Sequence, residues 1–359
     1  MKVAIVYPFF SPIDHELQLA LEQAGLDSWL VSSDLPHFQY RNTKLKFENP
    51  NYKTVKVKAY GSPINDLNLY FPFPILPDLI KTLKQISPDI VLTTEHVSSP
   101  SFWCNFQKGN WKTVLLERAG EWDGIIPRFG FHRYVARKFI FPRVDAFAAL
   151  SSYAKESLRE LGCNKHIEVI PNPVDTALFN VQIPWKERRN VVIYVGRLIK
   201  LKKIELIIQA MMMVREKVPD AELLLIGDGV DREYYQKIAH NKDYIRFLGS
   251  RDRSELPSLY NEAKALVMLV EGKATGISMA AQEAISCGVP IIGTADLPFD
   301  ESEHIYYFTS TLDPRFVAAS LISCLQEGEQ KSLNARIAAE KTYSHKAVGT
   351  AYKRMIDKI

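Results

Sequence analysis

The amino-acid sequence predicts an α/β protein made of two Rossmann-like, doubly wound domains facing a central cleft. Three observations predict it. Short apolar runs rich in β-branched residues alternate with longer stretches of helical period, as in parallel sheets covered by helices. The alternation runs through the chain twice, and 359 residues exceed what one hydrophobic core usually carries. A polar, proline-containing stretch, Pro171–Arg189, separates the two runs.

In the first run the expected strands are Lys2–Tyr7, Asp27–Val31, Thr54–Tyr60, Asp89–Thr94, Thr113–Leu116, Asp145–Leu150 and Ile167–Ile170. The helices Ile13–Ala24 and Tyr153–Leu161 each end at a glycine, Gly25 and Gly162, a residue suited to closing a helix. The second run gives Asn190–Val195, Ala221–Ile226, Tyr244–Leu248, Ala265–Val270, Val289–Gly293 and Ile305–Phe308. Helices are expected near Lys203–Lys217, Arg232–His240 and Ile277–Ser286, and only helical patterns follow Pro314. The expected domains are therefore 1–180 and 181–343, with a C-terminal helix, 344–359, returning to the first.

Hydrophobic residues make up 47% and charged residues 24%, which excludes a disordered or fibrous chain. A formal net charge of +4 is too mild for an electrostatic nucleic-acid binder. The cysteines, Cys104, Cys163, Cys287 and Cys324, are dispersed, so no disulfide framework or CxxC pair is expected. The first residues, MKVAIVYPFFSPIDHE, lack the apolar core of a signal peptide, and no stretch reaches the ~20 apolar residues of a membrane span. These features set the expectation of a cytoplasmic protein.

In such sheets ligands sit beyond the carboxyl ends of the strands, so chemistry is sought there. The segment VVIYVGRLIKLKKIELIIQA ends a buried strand at Val195, turns at Gly196 and presents Arg197, with Lys200, Lys202 and Lys203 opening the next helix. Cations at a helix start oppose the macrodipole, so local energetics do not explain them, whereas a diphosphate would. The alternative is a solvated basic turn. In KATGISMAAQEAISCGVPIIG, Gly276 precedes a helix start that suits an anion, and Glu283 in the next turn could accept ribose hydroxyls or lie on a surface. IGDGVDREY imitates part of GxGxxG, but Arg232 replaces the third glycine; Asp228 and Asp231 are read as helix capping, with no metal site.

Together with AELLLIGDGVDREY, IRFLGSRDRSELPSLYNEA, AFAALSSYAKESLRELG and IEVIPNPVDTALF, these segments resemble retaining glycosyltransferases of GT-B fold in the group 1, family 4 class. The resemblance is continuous from about Asp145 to Pro290. It implies a nucleoside-diphosphate sugar donor, with no further cofactor and no metal, and a catalytic set of Arg197, Lys202 and Glu283. Gly196, Arg197 and Lys202 match the residues that hold the diphosphate, and Glu283 matches the glutamate that grips the ribose. Gly276, Ile277 and Ser278 match the loop meeting phosphate or sugar, and Phe247 and Leu248 the turn receiving the base. Thr275 stands where the family's first glutamate touches the transferred sugar, and Glu117 where it usually has histidine.

The implied acceptor, a glycan, a lipid-linked acceptor or a small molecule, meets the first domain through loops that include His96, Glu117 and Glu121. Arg128–Arg143, with basic residues among aromatics and no acid, reads either as an amphipathic helix on anionic lipid at the inner membrane face or as a core helix with a solvated basic side. Arg41–Lys58 adds further basic residues. The implied activity is transfer of a sugar to a hydroxyl with retention. A non-catalytic nucleotide-binding subunit and a nucleotide-sugar epimerase are the rival readings.

Overall fold

The structure, a computed structural model, describes residues 1–8, 12–34, 53–60, 63–64, 69–70, 75–96, 98–107, 109–118, 134–269, 277–294, 305–309 and 312–359. It divides into two compact units, Met1–Pro173 with His345–Ile359, and Val174–Ser344.

Unit 1 opens with β1 (Lys2–Tyr7), α1 (Pro12–Gln23), β2 (Asp27–Ser33) and β3 (Thr54–Val57). A short antiparallel ribbon, β4 (Pro63–Ile64) with β5 (Leu69–Tyr70), precedes α2 (Leu79–Ile86) and β6 (Ile90–Thr94). Then come α3 (Ser99–Phe106), β7 (Lys112–Glu117), β8 (Ala146–Ala149), α4 (Ser152–Glu160) and β9 (Ile167–Val169). The sheet order is β3-β2-β1-β6-β7-β8-β9, all parallel. Strand direction of travel across the sheet reverses between β1 and β6. Val3, Ala4, Ile5 and Val6 are all fully buried, because helices cover both faces and the strand cannot alternate. Ser98 and Ser151 cap α3 and α4, their hydroxyls accepting the Ser101 and Ala154 N–H groups.

Unit 2 contains β10 (Val191–Val195), α5 (Ile204–Lys217), β11 (Glu222–Ile226), α6 (Arg232–Ile238), β12 (Ile245–Gly249) and α7 (Leu256–Glu262). It continues through β13 (Ala263–Met268), α8 (Met279–Ser286), β14 (Ile291–Thr294), β15 (Tyr306–Thr309), α9 (Pro314–Glu327) and α10 (Glu329–Ala338). Its order, β12-β11-β10-β13-β14-β15, repeats the same winding, with the reversal between β10 and β13. The chain then re-enters unit 1 as α11 (His345–Ile356), which packs on α1. There His345 Nε2 lies 2.7 Å from the buried Glu16 carboxylate, and Gly349 lets the helix approach so closely that a Cβ would sit 1.9 Å from the Ala20 carbonyl oxygen.

The unit boundary falls after Pro173, ahead of the sequence-based position of 180. The reason lies in how the stretch after Pro173 is bound. Phe179 is buried against Tyr260, and Asn261 Oδ1 accepts the Gln182 and Ile183 N–H groups at 2.7 and 3.2 Å. Buried Arg188 donates to the carbonyls of Ile183, Ala263, Cys287 and Gly288, and burial lowers its guanidinium to about 10. Most of the polar stretch read as a joint is thus part of unit 2. At the boundary itself the two crossings run side by side, with the Val174 N–H donating to the Tyr343 carbonyl at 2.8 Å.

Candidate active site

In unit 2 the chain leaves β10 through Gly196 and Arg197. The Gly196 N–H donates to the Ile226 carbonyl at 3.0 Å and the Leu198 N–H to the Asp228 carbonyl at 2.9 Å, pinning this turn to the end of β11. Contact is so close that a Cβ on Gly227 would stand 2.0 Å from the Gly196 carbonyl oxygen, and one on Gly229 2.3 Å from that of Leu198. The glycines of IGDG therefore serve chain-to-chain packing of two neighbouring turns. Buried Tyr194 donates its hydroxyl to the Arg197 carbonyl at 2.8 Å and fixes the backbone from below.

The lysines do not open the helix as the sequence suggested. Lys200–Lys202 form a separate 3₁₀ turn, and Lys203, at φ 49°, reverses the chain before α5 begins at Ile204. Asp231 does not cap α6 with its side chain; its carboxylate instead accepts the Lys200 N–H at 2.9 Å and holds the lysine turn in place. Arg197 and Lys200 are exposed and Lys202 is half-buried. Among the described residues, neither Arg197 nor Lys202 has a side-chain hydrogen bond or ion pair. Burial, and next the Arg197 guanidinium, lowers the Lys202 ammonium from its ordinary value. Two neighbouring cations with no carboxylate between them favour an anion.

Beside this turn, β12 ends in a bulge: Leu225 pairs with Phe247 but Ile226 with Gly249, so Leu248 is the extra residue. Phe247 and Leu248 are both half-buried. The helix after β13 starts at Met279, later than expected, because Ser278 is its cap. The Ser278 hydroxyl accepts the Ala281 N–H at 3.2 Å and donates to Met268 Sδ, tying the helix start to the end of β13; Ile277 packs on the core beside it. Thr275 and Gly276 lie outside the described residues.

Glu283 is 5% exposed, and its partners were invisible to sequence reasoning. Arg253 Nε donates to Oε1 at 3.1 Å, with the guanidinium 5.2 Å over the Phe179 ring, and the Tyr260 hydroxyl lies 3.5 Å from Oε2. Burial and the carboxylate push the Tyr260 hydroxyl well up, so it remains a donor. Arg253 sits 30 residues upstream and carried no local signal.

Unit 1 builds a different strand-end cluster. Buried His96, just past β6, places Nδ1 2.8 Å from Oε2 of Glu117, the last residue of β7 and fully buried. Glu95, half-buried and left-handed at φ 59°, precedes it; burial, then Glu117, raises its carboxyl to about 7. Arg118 Nη2 donates to the Tyr7 hydroxyl and, at 3.2 Å, to buried Asp14. Glu121 lies outside the described residues, as do 128–133. In the remainder of that basic segment, Ala136–Ile140 form a π-helical turn with Ala136 and Ile140 buried. Arg137 donates to the Leu161 and Glu160 carbonyls, while Tyr134, Lys138, Phe139 and Arg143 are exposed.

The comparisons agree with this architecture. A family model for group 1 glycosyl transferases matches residues 175–309, and one for glycosyltransferase family 4 matches residues 15–178. The structure of Anabaena Alr3699/HepE in complex with UDP covers 100% of both chains with a TM-score of 0.77 at 14% identity. Two glycosyltransferase family models thus match successive regions of the chain, each less than half of it. An uncharacterized glycosyltransferase, YqgM of Bacillus subtilis (strain 168), is 27% identical over 161 residues, covering 44% of each chain. The N-acetyl-alpha-D-glucosaminyl L-malate synthase of Bacillus anthracis is 27% identical over 169 residues, 44% of this chain and 43% of that protein. The matched stretch thus spans under half the length of these relatives. Among the described residues no helix is long and apolar enough to cross a membrane, and no group of three His, Cys, Asp or Glu could hold a metal.

Proposed function

We propose that this protein is a GT-B glycosyltransferase that transfers a hexosyl group from a nucleoside-diphosphate sugar to a hydroxyl acceptor, with retention at the anomeric carbon. The observation that carries the reading is the Arg197–Lys202 cation pair, unpartnered among the described residues, at the carboxyl end of β10 beside the point where the sheet order reverses. In this reading the pair binds the donor diphosphate and stabilises the charge that develops on it as the glycosidic bond breaks, together with the helix start at Ile277 and Ser278. Glu283, held by Arg253 and Tyr260, accepts ribose hydroxyls, and the bulge at Phe247 and Leu248 receives the base. Two cations supply the charge that a divalent metal would otherwise bring, so the reaction is proposed to need none.

The acceptor, a glycan or lipid-linked sugar, is proposed to meet unit 1 near His96. The exposed Tyr134, Lys138, Phe139 and Arg143 suit contact with an anionic bilayer, which would place the reaction at the cytoplasmic membrane face. The test is nucleotide release from UDP-, GDP- and ADP-sugars, with and without lipid extract, in excess EDTA. The UDP in the Anabaena complex makes uridine the first base to try. Turnover that survives EDTA is the expected result. Tight nucleotide binding without release of product from any donor would favour the non-catalytic reading, to which Thr275 also points.

A further inference from the structure

Helix α10 inverts the usual amphipathic pattern. It buries the small residues Ser332 and Ala335 and turns the large apolar Leu333 and Ile337 outward, 56% and 61% exposed. That orientation is fixed by bonds on the buried side. The Ser332 hydroxyl donates to the Gly288 carbonyl at 2.5 Å, and Arg336 donates to the carbonyls of Thr176, Phe179 and Ser286 at 3.2, 3.0 and 2.9 Å. The segment that Arg336 thereby lays against the helix carries two more exposed apolar side chains, Leu178 and Val181. Single exposed apolar residues are ordinary; two large ones a turn apart on an anchored helix, with the small ones turned in, mark a face that another molecule covers.

The charges at the two ends of that face choose the occupant. Glu329, Leu333, Ile337 and Lys341 are spaced by four, along α10 and the π-helical turn Ala339–Tyr343 that prolongs it. Glu329 is partly exposed and pairs with the exposed Lys186 at 2.9 Å. Lys341 is exposed and has no ion pair among the described residues. Acid and base stand equally far from the midpoint between Leu333 and Ile337. A second copy laid antiparallel across the face would set Leu333 against Ile337 and Glu329 against Lys341, each pair formed twice about one two-fold axis. A parallel copy would set acid on acid and base on base. We propose that α10 is a self-complementary surface through which two copies of this chain pair antiparallel, with the axis crossing the helix at the level of Ala335.

Sedimentation velocity on the full chain tests this up to about 100 μM, because a dimer joined by one helix face belongs with small, micromolar-range interfaces. The chain should pass from monomer to dimer as its concentration rises. Ile337→Lys should weaken the dimer about tenfold or more, with thermal unfolding unchanged because the side chain is exposed. Lys341→Glu should weaken it about fivefold by setting like charges face to face, once at each end. Adding Glu329→Lys to Lys341→Glu should restore the dimer, although each change alone weakens it. A merely local effect on the helix would not produce that rescue. A chain monomeric at the highest concentration, a dimer indifferent to Ile337→Lys, or a double variant without rescue overturns the proposal. So does a monomer that cosediments with anionic vesicles and loses them on Ile337→Lys, which would give this face to lipid.

Discussion

The two units wind their sheets alike and arm the strand ends in opposite ways. In unit 2 the turn after β10 presents Arg197 and Lys202, which face no carboxylate among the described residues. In unit 1 the ends of β6 and β7 carry Glu95, His96, Glu117 and Arg118, most of them already bonded to each other or to Asp14 and Tyr7. The same backbone scaffold therefore carries two cations at one strand end and mostly carboxylates at the other. Topology chooses where a ligand sits; the handful of residues just beyond the strands chooses its charge.

The largest expected effect sharpens the comparison by removing the scaffold under one end only. Arg188→Ala would remove the guanidinium donor from the carbonyls of Ile183, Ala263 and Cys287, leave Gly288 only the Ser332 hydroxyl, and open a cavity in unit 2, at a cost of about 3–5 kcal/mol. Thermal unfolding should show unit 2 melting ahead of unit 1, and a shift shared equally by both would contradict the separate anchoring described above.

Next come the cations themselves. Arg197→Ala and Lys202→Ala should each weaken nucleoside-diphosphate binding by about 1.5–3 kcal/mol, measured by calorimetry, as expected for charged hydrogen bonds. Lys200→Ala should matter little, because its backbone N–H is what the turn uses. A loss of the same size from Glu95→Gln in unit 1 would break the comparison outright.

Glu283 and Arg253 pair a buried carboxylate with an arginine in unit 2, as Asp14 and Arg118 do in unit 1. Glu283→Ala should lower both nucleotide affinity and turnover. Arg253→Met keeps bulk over Phe179 but frees the carboxylate, and should cost about 1–2 kcal/mol of stability with a smaller loss of nucleotide affinity. Unchanged nucleotide affinity in Glu283→Ala would remove the ribose assignment.

The smallest effect is a pH dependence confined to unit 1. Glu95 has its carboxyl raised from 4.5 to about 7 by burial and by Glu117, against the opposing pull of Arg118 and His96. A carboxyl raised on folding holds its proton more tightly in the folded state, so its contribution to stability falls as pH climbs from about 4.5 through about 7. Glu95→Gln should therefore raise the unfolding temperature at pH 8 and leave it nearly unchanged at pH 4. A stabilisation equal at both pH values would show that its charge is not the cause.

Much of this was legible beforehand. The strands were readable because each is buried on both faces and so appears as an unbroken apolar run, as in Val191–Val195 and Ile90–Thr94. Gly196, Arg197 and the lysines stood out because a cation directly after such a run has no local reason to be there. Boundaries were less legible: the lysine turn looked like the first turn of a helix because a 3₁₀ turn and an α-helix share their early spacing, and only Lys203 at φ 49° separates them.

By itself, then, the sequence determined the class of fold, the alternation of strands and helices, and the cation pair beyond β10. Tertiary structure decided which distant polar groups meet: Arg253 with Glu283, Arg188 with carbonyls 75 to 100 residues on, and Arg118 with Asp14 across 104 residues. The physical reason is the parallel sheet. Hydrophobic periodicity is a local property that reports burial, whereas each crossover carries the chain a helix and a strand away before returning it to the same edge. Which strand ends become neighbours is set by the winding order, and that order is written in the packing of whole elements rather than in any short run of residues.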